Sequence, residues 1–397
     1  MTIEVEVKNV TKIFGKQLAK AKKLVRENKS KEDILAQTGA TVGVDRASFT
    51  IKQGEIFVIM GLSGSGKSTL IRMINQLIPA TDGQILIDGQ DLTKLNKQEM
   101  IALRRKKMSM VFQNFALFPN YTIIQNVAFG LEIKGKDKAQ REARAHEALE
   151  LVGLKGYDDQ YPNQLSGGMQ QRVGLARALA SDTDILLMDE AFSALDPLNR
   201  KEMQDELLRI QSELHKTIIF ISHDLNEALK LGDHIMIMRD GQVIQTGTPE
   251  EILTQPADDY VERFIEDVDR SRVLTAANVM IKPAMVNIEK SGPRTALREM
   301  RENNTSSIYV IDNQQRFIGM ADARDVIELV RKQQKDLGQV LQKDVPTTNP
   351  DTPIKELMSE ISTTPIPFAV LDEREHLLGI IVRGAVLGAL AGDGVTE

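Results

Sequence analysis

The segment Gly61-Leu-Ser-Gly-Ser-Gly66-Lys67-Ser68 constrains this chain more than any other stretch. It spells G-x-x-x-x-G-K-S, follows the apolar run IFVIM at 56–60 and opens the helical pattern TLIRMINQLI at 69–78. Strand, glycine turn and helix in that order make a phosphate cradle. Glycines at 61, 64 and 66 let the backbone wrap a phosphate chain, and the amides of Ser63, Ser65 and Thr69, with the helix N-terminus, supply oriented positive dipoles. Lys67 reaches the β- and γ-phosphates and Ser68 offers a hydroxyl to Mg²⁺. The expected ligand is a nucleoside triphosphate.

At 397 residues the chain is too long for one ordinary core, so two or more domains are expected. Apolar residues at 42% and charged residues at 27% describe a folded globular protein. Fifty basic residues against 56 acids leave a net charge of −6, which argues against a dedicated nucleic-acid binder. With no cysteine there is no disulfide framework, thiol nucleophile or cysteine zinc site. The opening MTIEVEVKNV has no apolar core of the signal-peptide kind, so the chain is expected to stay in the cytosol. Its longest apolar stretches, Ile56–Met60 and Leu377–Ala391 broken by Arg383, fall short of the roughly 20 residues a membrane helix needs. Transmembrane work would therefore require a partner.

Between Ile56 and Met238 the runs IFVIM, ILLM, TIIFI and HIMIM alternate with helical patterns, the mark of a parallel sheet covered by helices and so of an α/β fold. Upstream, Ile3–Val7 and Lys12–Gly15 read as short strands, Gln17–Thr38 as a basic helical stretch, and strand character resumes at Val44. Asp240-Gly241 is a hairpin turn, and the charged stretch Glu262–Arg272 is a helix end and linker. The last third repeats itself: Ile308–Asp312 matches Phe368–Asp372, and Gly319 matches Gly379, each 60 residues apart. Each copy reads as helix, strand, strand, helix.

Two further motifs carry chemistry. The run Ile185-Leu-Leu-Met-Asp189-Glu190 is a buried strand ending in two acids at the sheet edge where α/β proteins bind ligands. Asp189 is suited to orient Mg²⁺, and Glu190 to take a proton from the attacking water in an in-line phosphoryl transfer. In Leu165-Ser166-Gly167-Gly168-Met169-Gln170, Ser166 caps a following helix while the glycine amides offer a second anion site. Arg104-Arg105-Lys106-Lys107 reads as a solvated edge beside a strand rather than as a nucleic-acid patch.

With the phosphate loop, Gln113, LSGGM, LLMDE, Ser193-Ala-Leu-Asp196 and His223 in this order, residues 1 to about 250 resemble the ATP-binding cassette ATPases. The resemblance implies a P-loop cassette with a helical subdomain at 1–265, a linker at 266–278, and an MgATPase working as a homodimer. In that dimer Ser166, Gly167, Gly168 and Gln170 of one copy face the γ-phosphate held by Lys67 of the other. It further implies that Gln113 senses Mg²⁺ and touches the membrane partner, that His223 contacts the γ-phosphate, that Asp196 crosses between sites, and that Phe14 stacks on adenine. Only 98 positions separate Ser68 from Ser166, too few for the coiled coils of the repair ATPases.

The insertion at 17–38 and the run IFVIMGLSGSGKSTLIRMINQLI look like the uptake ATPases for glycine betaine and proline betaine. The repeats, at 279–336 and 337–397, resemble an α+β tandem pair of cystathionine-β-synthase (CBS) modules. By resemblance the chain sits on the cytoplasmic face of the membrane, bound to integral permease subunits with a substrate-binding domain. Uptake of an amino acid such as methionine or histidine, or a soluble ATPase acting on nucleic acid or ribosomes, stand as alternatives. In the tail the ribose-binding pattern is partial: Gly319, Asp322 and Asp325 in the first repeat, but Gly379, Val382 and Ala385 in the second. Cyclic di-AMP at the module interface, or simple dimer scaffolding, then replaces ordinary AMP or ATP binding as the expected role. Residues 279–343 carry a net charge of +3 and 344–397 of −6; either the basic half faces anionic lipid, which would couple ionic strength to transport, or the pair presents a solvated mixed-charge surface.

Overall fold

The apolar runs IFVIM, TIIFI and HIMIM become neighbouring parallel strands, Ile56–Met60 lying between Thr217–Ile221 and His234–Arg239. Ile185–Asp189 and Met108–Phe112 continue the parallel order on one side, and Gln242–Gly247 adds an antiparallel edge on the other. Every residue of the strands at 56–60, 185–189 and 217–221 is buried, as uninterrupted apolar runs require when helices cover both faces. The hairpin turn at Asp240-Gly241 has φ of +49° and +80°, the left-handed pair that suits the twist of two-residue hairpins. Register pairs Phe112 with Asp189, Asp189 with Ile221 and Ile59 with Ile221. The residues that follow these strand ends therefore emerge along one edge.

The computed structural model describes residues 2–113, 115–266 and 268–391 and divides into two compact units, Met1–Ile265 and Glu266–Glu397. In the first, a four-stranded antiparallel sheet (Thr41–Lys52, Ile3–Phe14, Asp82–Ile87, Gln90–Asp91) shares one core with the parallel sheet and the helix Lys67–Ile74. The two short strands expected before residue 16 are a single one. Bulges between Val7 and Val10, with Asn9 at φ +48°, let Ile3–Phe14 keep pairing along Thr41–Lys52. The basic stretch after it forms helices Leu18–Arg26 and Lys31–Thr38 over a small core of Ile13, Ala21, Val25, Ile34 and Val42. Helices Ile123–Ile133, Lys138–Leu151 and Gly167–Ala180 pack on one another as a separate lobe. Of the basic run at 104–107, Lys107 is not simply solvated: it holds Asp88 at 2.7 Å and Asp184 at 2.6 Å.

The second unit has two copies of one motif, with a short leading strand in each that is too brief to read as a pattern: Met285–Asn287 beside Ser307–Ile311, and Thr347–Thr348 beside Phe368–Leu371. Leu274 and Ala276, in the stretch read as linker, and Val279, read as the start of the first repeat, are buried in the core of the second copy with Ile354, Phe368 and Ile381. Backbone pairing of Ile281 with Ile380 carries them there, so the chain enters the second copy before it builds the first. Tyr309, Met320, Val345, Ala369 and Ile380 form the seam between copies. The repeated glycines mark crossings: a Cβ on Gly319 would meet the Gln342 carbonyl oxygen at 2.7 Å, and one on Gly379 would meet Met280 Sδ at 2.7 Å. The end of the second repeat, 392–397, lies outside the described residues.

Candidate active site

Between strand and helix the loop at 61–66 adopts φ of +147° at Gly61, +82° at Gly64 and +103° at Gly66. A Cβ on Gly61 would lie 2.2 Å from the Met238 carbonyl oxygen, and one on Gly66 would lie 2.4 Å from that of Gly43. Neighbouring backbone as well as local conformation thus demands glycine. Lys67 folds across the loop, its Nζ donating to the carbonyls of Gly61 at 2.7 Å and Leu62 at 3.0 Å. Burial pulls the Lys67 ammonium below the usual lysine range, while Glu190 and Asp189 act in the opposite direction. The Ser65 hydroxyl in the same loop is buried with no hydrogen-bond partner among the described residues. A buried cation and an orphaned polar atom side by side are what an incoming phosphate satisfies.

The two acids after Met188 face this loop. Ser68 Oγ donates to Asp189 Oδ1 at 3.0 Å, and Arg72 lies 3.4 Å from Asp189 Oδ2. Gln113 Nε2 donates to Glu190 Oε2 at 3.1 Å and to Ser193 Oγ at 3.3 Å, and His223 Nδ1 is 3.9 Å from the same Glu190 oxygen. Glu190 itself stands at φ +49°, a conformation that crowds an L side chain and is typical of strain held at reactive centres. Lys67, Ser68, Gln113, Asp189, Glu190 and His223, scattered over more than 150 positions of sequence, therefore meet at one sheet edge. Phe14 is half exposed nearby, with Lys12 Nζ 5.0 Å from its ring centre. Its ring edge and the Thr69 methyl both abut Gly43, whose carbonyl faces Gly66, and Ser63 lines an open hollow beside the loop.

A second cluster lies apart from the first. Ser166 caps the helix Gly167–Ala180 by accepting from the Met169 amide at 3.3 Å, leaving Ser166 and Gly167 exposed. Gln170 turns back to its own loop, donating to Pro162 and Leu165 carbonyls at 3.0 and 3.1 Å. Asp196 caps the helix Pro197–Leu214, and hydrogen bonds from Asn199 and the helix amides hold its carboxyl below the usual range. Gly168 packs beside Asn199, so the two helix starts are neighbours. Among the described residues, no hydrogen bond or ion pair joins this cluster to Lys67, Glu190 or His223.

The donors present suit Mg²⁺. Ser68 hydroxyl, Asp189 carboxylate and Gln113 amide are oxygen ligands of the kind a hard cation takes, and the first two already converge at 3.0 Å. Among the described residues no group of three or more His, Asp or Glu side chains could hold a metal unaided, so phosphate oxygens would complete the shell.

Sequence reasoning assigned no part to several groups that structure joins to the site. Ser193, three residues past Glu190, shares the Gln113 amide. Beneath His223, Ser222 Oγ donates to the buried Glu227 carboxylate at 2.5 Å, which also accepts from Gln204 at 3.0 Å. Nothing in the sequence singles out Glu227, which sits in the first turn of the helix Leu225–Leu231, capped by Asp224 just after His223.

A glycine cradle with its lysine, a serine-aspartate pair and a glutamate just past the end of the strand Ile185–Asp189 define a P-loop nucleoside triphosphatase. Comparison carries this further. The ABC transporter family model matches residues 44–193, and the CBS domain model matches 276–332 and 337–392. The chain is 62% identical, over 99% of its length and 98% of the relative's, to the glycine betaine/carnitine transport ATP-binding protein of Listeria monocytogenes. It is 54% identical over 98% of its length and 93% of the relative's to the glycine betaine transport ATP-binding protein of Bacillus subtilis. Against the glycine betaine/proline betaine transport system ATP-binding protein of Escherichia coli the identity is 48%, over the whole of both chains. Among solved structures, a dimeric ATP-binding cassette in a post-hydrolysis state bound to ADP and Pi aligns over 62% of this chain and 98% of its own, with 33% identity and a TM-score of 0.53. The chain belongs to the ATP-binding subunits of ABC transporters, with a tandem CBS tail, and is an ATPase.

Proposed function

We propose that this chain powers the uptake of glycine betaine or a related quaternary amine, as the ATP-hydrolysing homodimer on the cytoplasmic face of a membrane permease that carries the substrate-binding domain. The observation that carries this reading is full-length kinship: the similarity to betaine transport subunits spans the cassette and the CBS tail together. Among the described residues no helix is long and apolar enough to cross a membrane, so translocation falls to the permease.

In the proposed cycle, Phe14 stacks on adenine while the amides of Gly61–Thr69 and the Lys67 ammonium take the phosphate chain. Ser68, Asp189 and Gln113 would hold Mg²⁺, which when bound would neutralise phosphate charge. Glu190 accepts the proton of the attacking water, Gln113 keeps the Glu190 carboxylate aimed, and His223 donates toward the γ-phosphate. The Ser166–Gly168 turn, exposed at Ser166 and Gly167, and Asp196, with no hydrogen bond to this cluster among the described residues, serve the γ-phosphate of a second copy. Closing two copies around ATP and opening them after hydrolysis moves the permease.

The tail is the proposed regulator, through ionic strength at its basic first repeat or through cyclic di-AMP. Support comes from Lys290, Arg294 and Lys335 lining one cavity of about 640 Å³ in that repeat. Against a ribose site, the Asp322 carboxylate is already engaged with the Arg324 amide and guanidinium. Reconstitution with the permease in liposomes tests the whole reading. Betaine should accumulate only with lumenal MgATP, and removing residues 276–397 should flatten the response to lumenal salt and to cyclic di-AMP. Transport of an amino acid instead of betaine overturns the substrate, and unchanged response curves overturn the regulator.

A further inference from the structure

Arg177 lies outside every motif named above, yet it is built into the loop that carries Gln113. Phe115 and Ala116 stand at φ +56° and +49°, two successive non-glycine residues in the left-handed region. Each crowds its Cβ against a carbonyl, so the pair persists only if something outside the loop holds it. That holder is a guanidinium: Arg177 NH2 donates to the Phe115 carbonyl at 2.9 Å, and NH1 donates to that of Ala116 at 2.7 Å. Among the described residues no carboxylate pairs with Arg177, and burial pulls its guanidinium below the usual arginine range. A desolvated cation whose acceptors are two neighbouring carbonyls has little freedom to leave them, and its fork shape suits two parallel bonds. One turn earlier on the same helix face, Gly174 comes within van der Waals reach of the Phe115 oxygen, where a Cβ would stand 3.8 Å away.

We propose that Arg177 is a positioning residue for hydrolysis, clamping the Phe115-Ala116 turn so that Gln113 is held against Glu190 and so that the helix beginning at Gly167 carries that placement with it. The inference rests on the role proposed for Gln113. The helix Gly167–Ala180 presents Ser166–Gly168 at one end and grips the Gln113 loop near the other. Motion of that turn is thereby transmitted along one rigid element to the carboxylate that receives the proton. A lysine at 177 keeps the charge but offers a single ammonium to two carbonyls, and a methionine keeps the bulk without any donor.

The experiment is a double-substitution cycle on the full-length protein, reading ATP affinity, steady-state ATPase and thermal unfolding for Gln113→Ala, Arg177→Met, Arg177→Lys and Gln113→Ala/Arg177→Met. Arg177→Met is expected to lower kcat about tenfold or more with ATP affinity changed less than threefold, and Arg177→Lys to recover part of the loss. Because the two residues act in series, the double variant should be no slower than Gln113→Ala alone. Losses that multiply, or an Arg177→Met variant that loses ATP affinity and unfolding temperature in step with kcat while Arg177→Lys does the same, overturn the positioning role. Full activity in Gln113→Ala would instead remove the Gln113 reading on which the inference stands.

Discussion

Replacing Glu190 by glutamine is expected to leave ATP binding within about threefold of the parent and to lower turnover roughly 100- to 10,000-fold, the range assigned to a positioned general base. The physical reason is local. Glutamine fills the same space and can still bond to the Gln113 side chain, now 3.1 Å from Glu190 Oε2, but it cannot take a proton from water. Nucleotide should then trap two copies in the closed state, because the step that reopens them is blocked. Fluorescent-nucleotide titration, phosphate release and sedimentation with MgATP measure the three quantities. Full phosphate release by the variant would remove Glu190 from the proton-accepting role.

Introducing a single methyl group at Gly61 is expected to raise the ATP dissociation constant by at least tenfold. At φ +147°, an L side chain pays a conformational cost of about 1–3 kcal/mol, and the added carbon would sit 2.2 Å from the Met238 carbonyl oxygen. Strand His234–Arg239 is held in register with Ile56–Met60, so the carbonyl cannot withdraw and the loop must deform instead. Lys67 then loses the Gly61 and Leu62 carbonyls that fix its ammonium over the loop. Alanine at Gly64, where a Cβ meets nothing within 4 Å, should be the milder change, limited to the backbone cost at φ +82°. Isothermal titration with ATP and thermal melts distinguish them; equal affinities for the two variants would mean that the Met238 contact does not shape the cradle.

Legibility differed by kind of residue. The phosphate loop was readable because its chemistry is local: strand, turn and helix are adjacent in sequence, and glycine is required within that one turn. The parallel sheet was readable because strands buried on both faces become continuous apolar runs. The first strand was divided in two, because a bulge at Asn9 interrupts alternation without ending the pairing that antiparallel neighbours maintain. Leu274 and Ala276 read as linker, and Val279 as part of the first repeat, because nothing near them in sequence indicates the Ile281–Ile380 bridge that draws them into the second repeat. Arg177 was invisible for the same reason, since its partners are carbonyls about 60 positions away and carbonyls leave no mark in a sequence.

The amino-acid order by itself determined that a glycine-rich phosphate loop lies at 61–68, that a parallel α/β unit surrounds it, and that the last third is duplicated, because each follows from short-range periodicity or from residue types with one conformational use. Tertiary structure alone decided that Gln113, Asp189, Glu190 and His223 reach one point, that no hydrogen bond among the described residues joins Ser166–Gly168 to it, and that a guanidinium on a distant helix holds the glutamine's loop. Strand register and helix packing set those distances, and both depend on partners far apart along the chain.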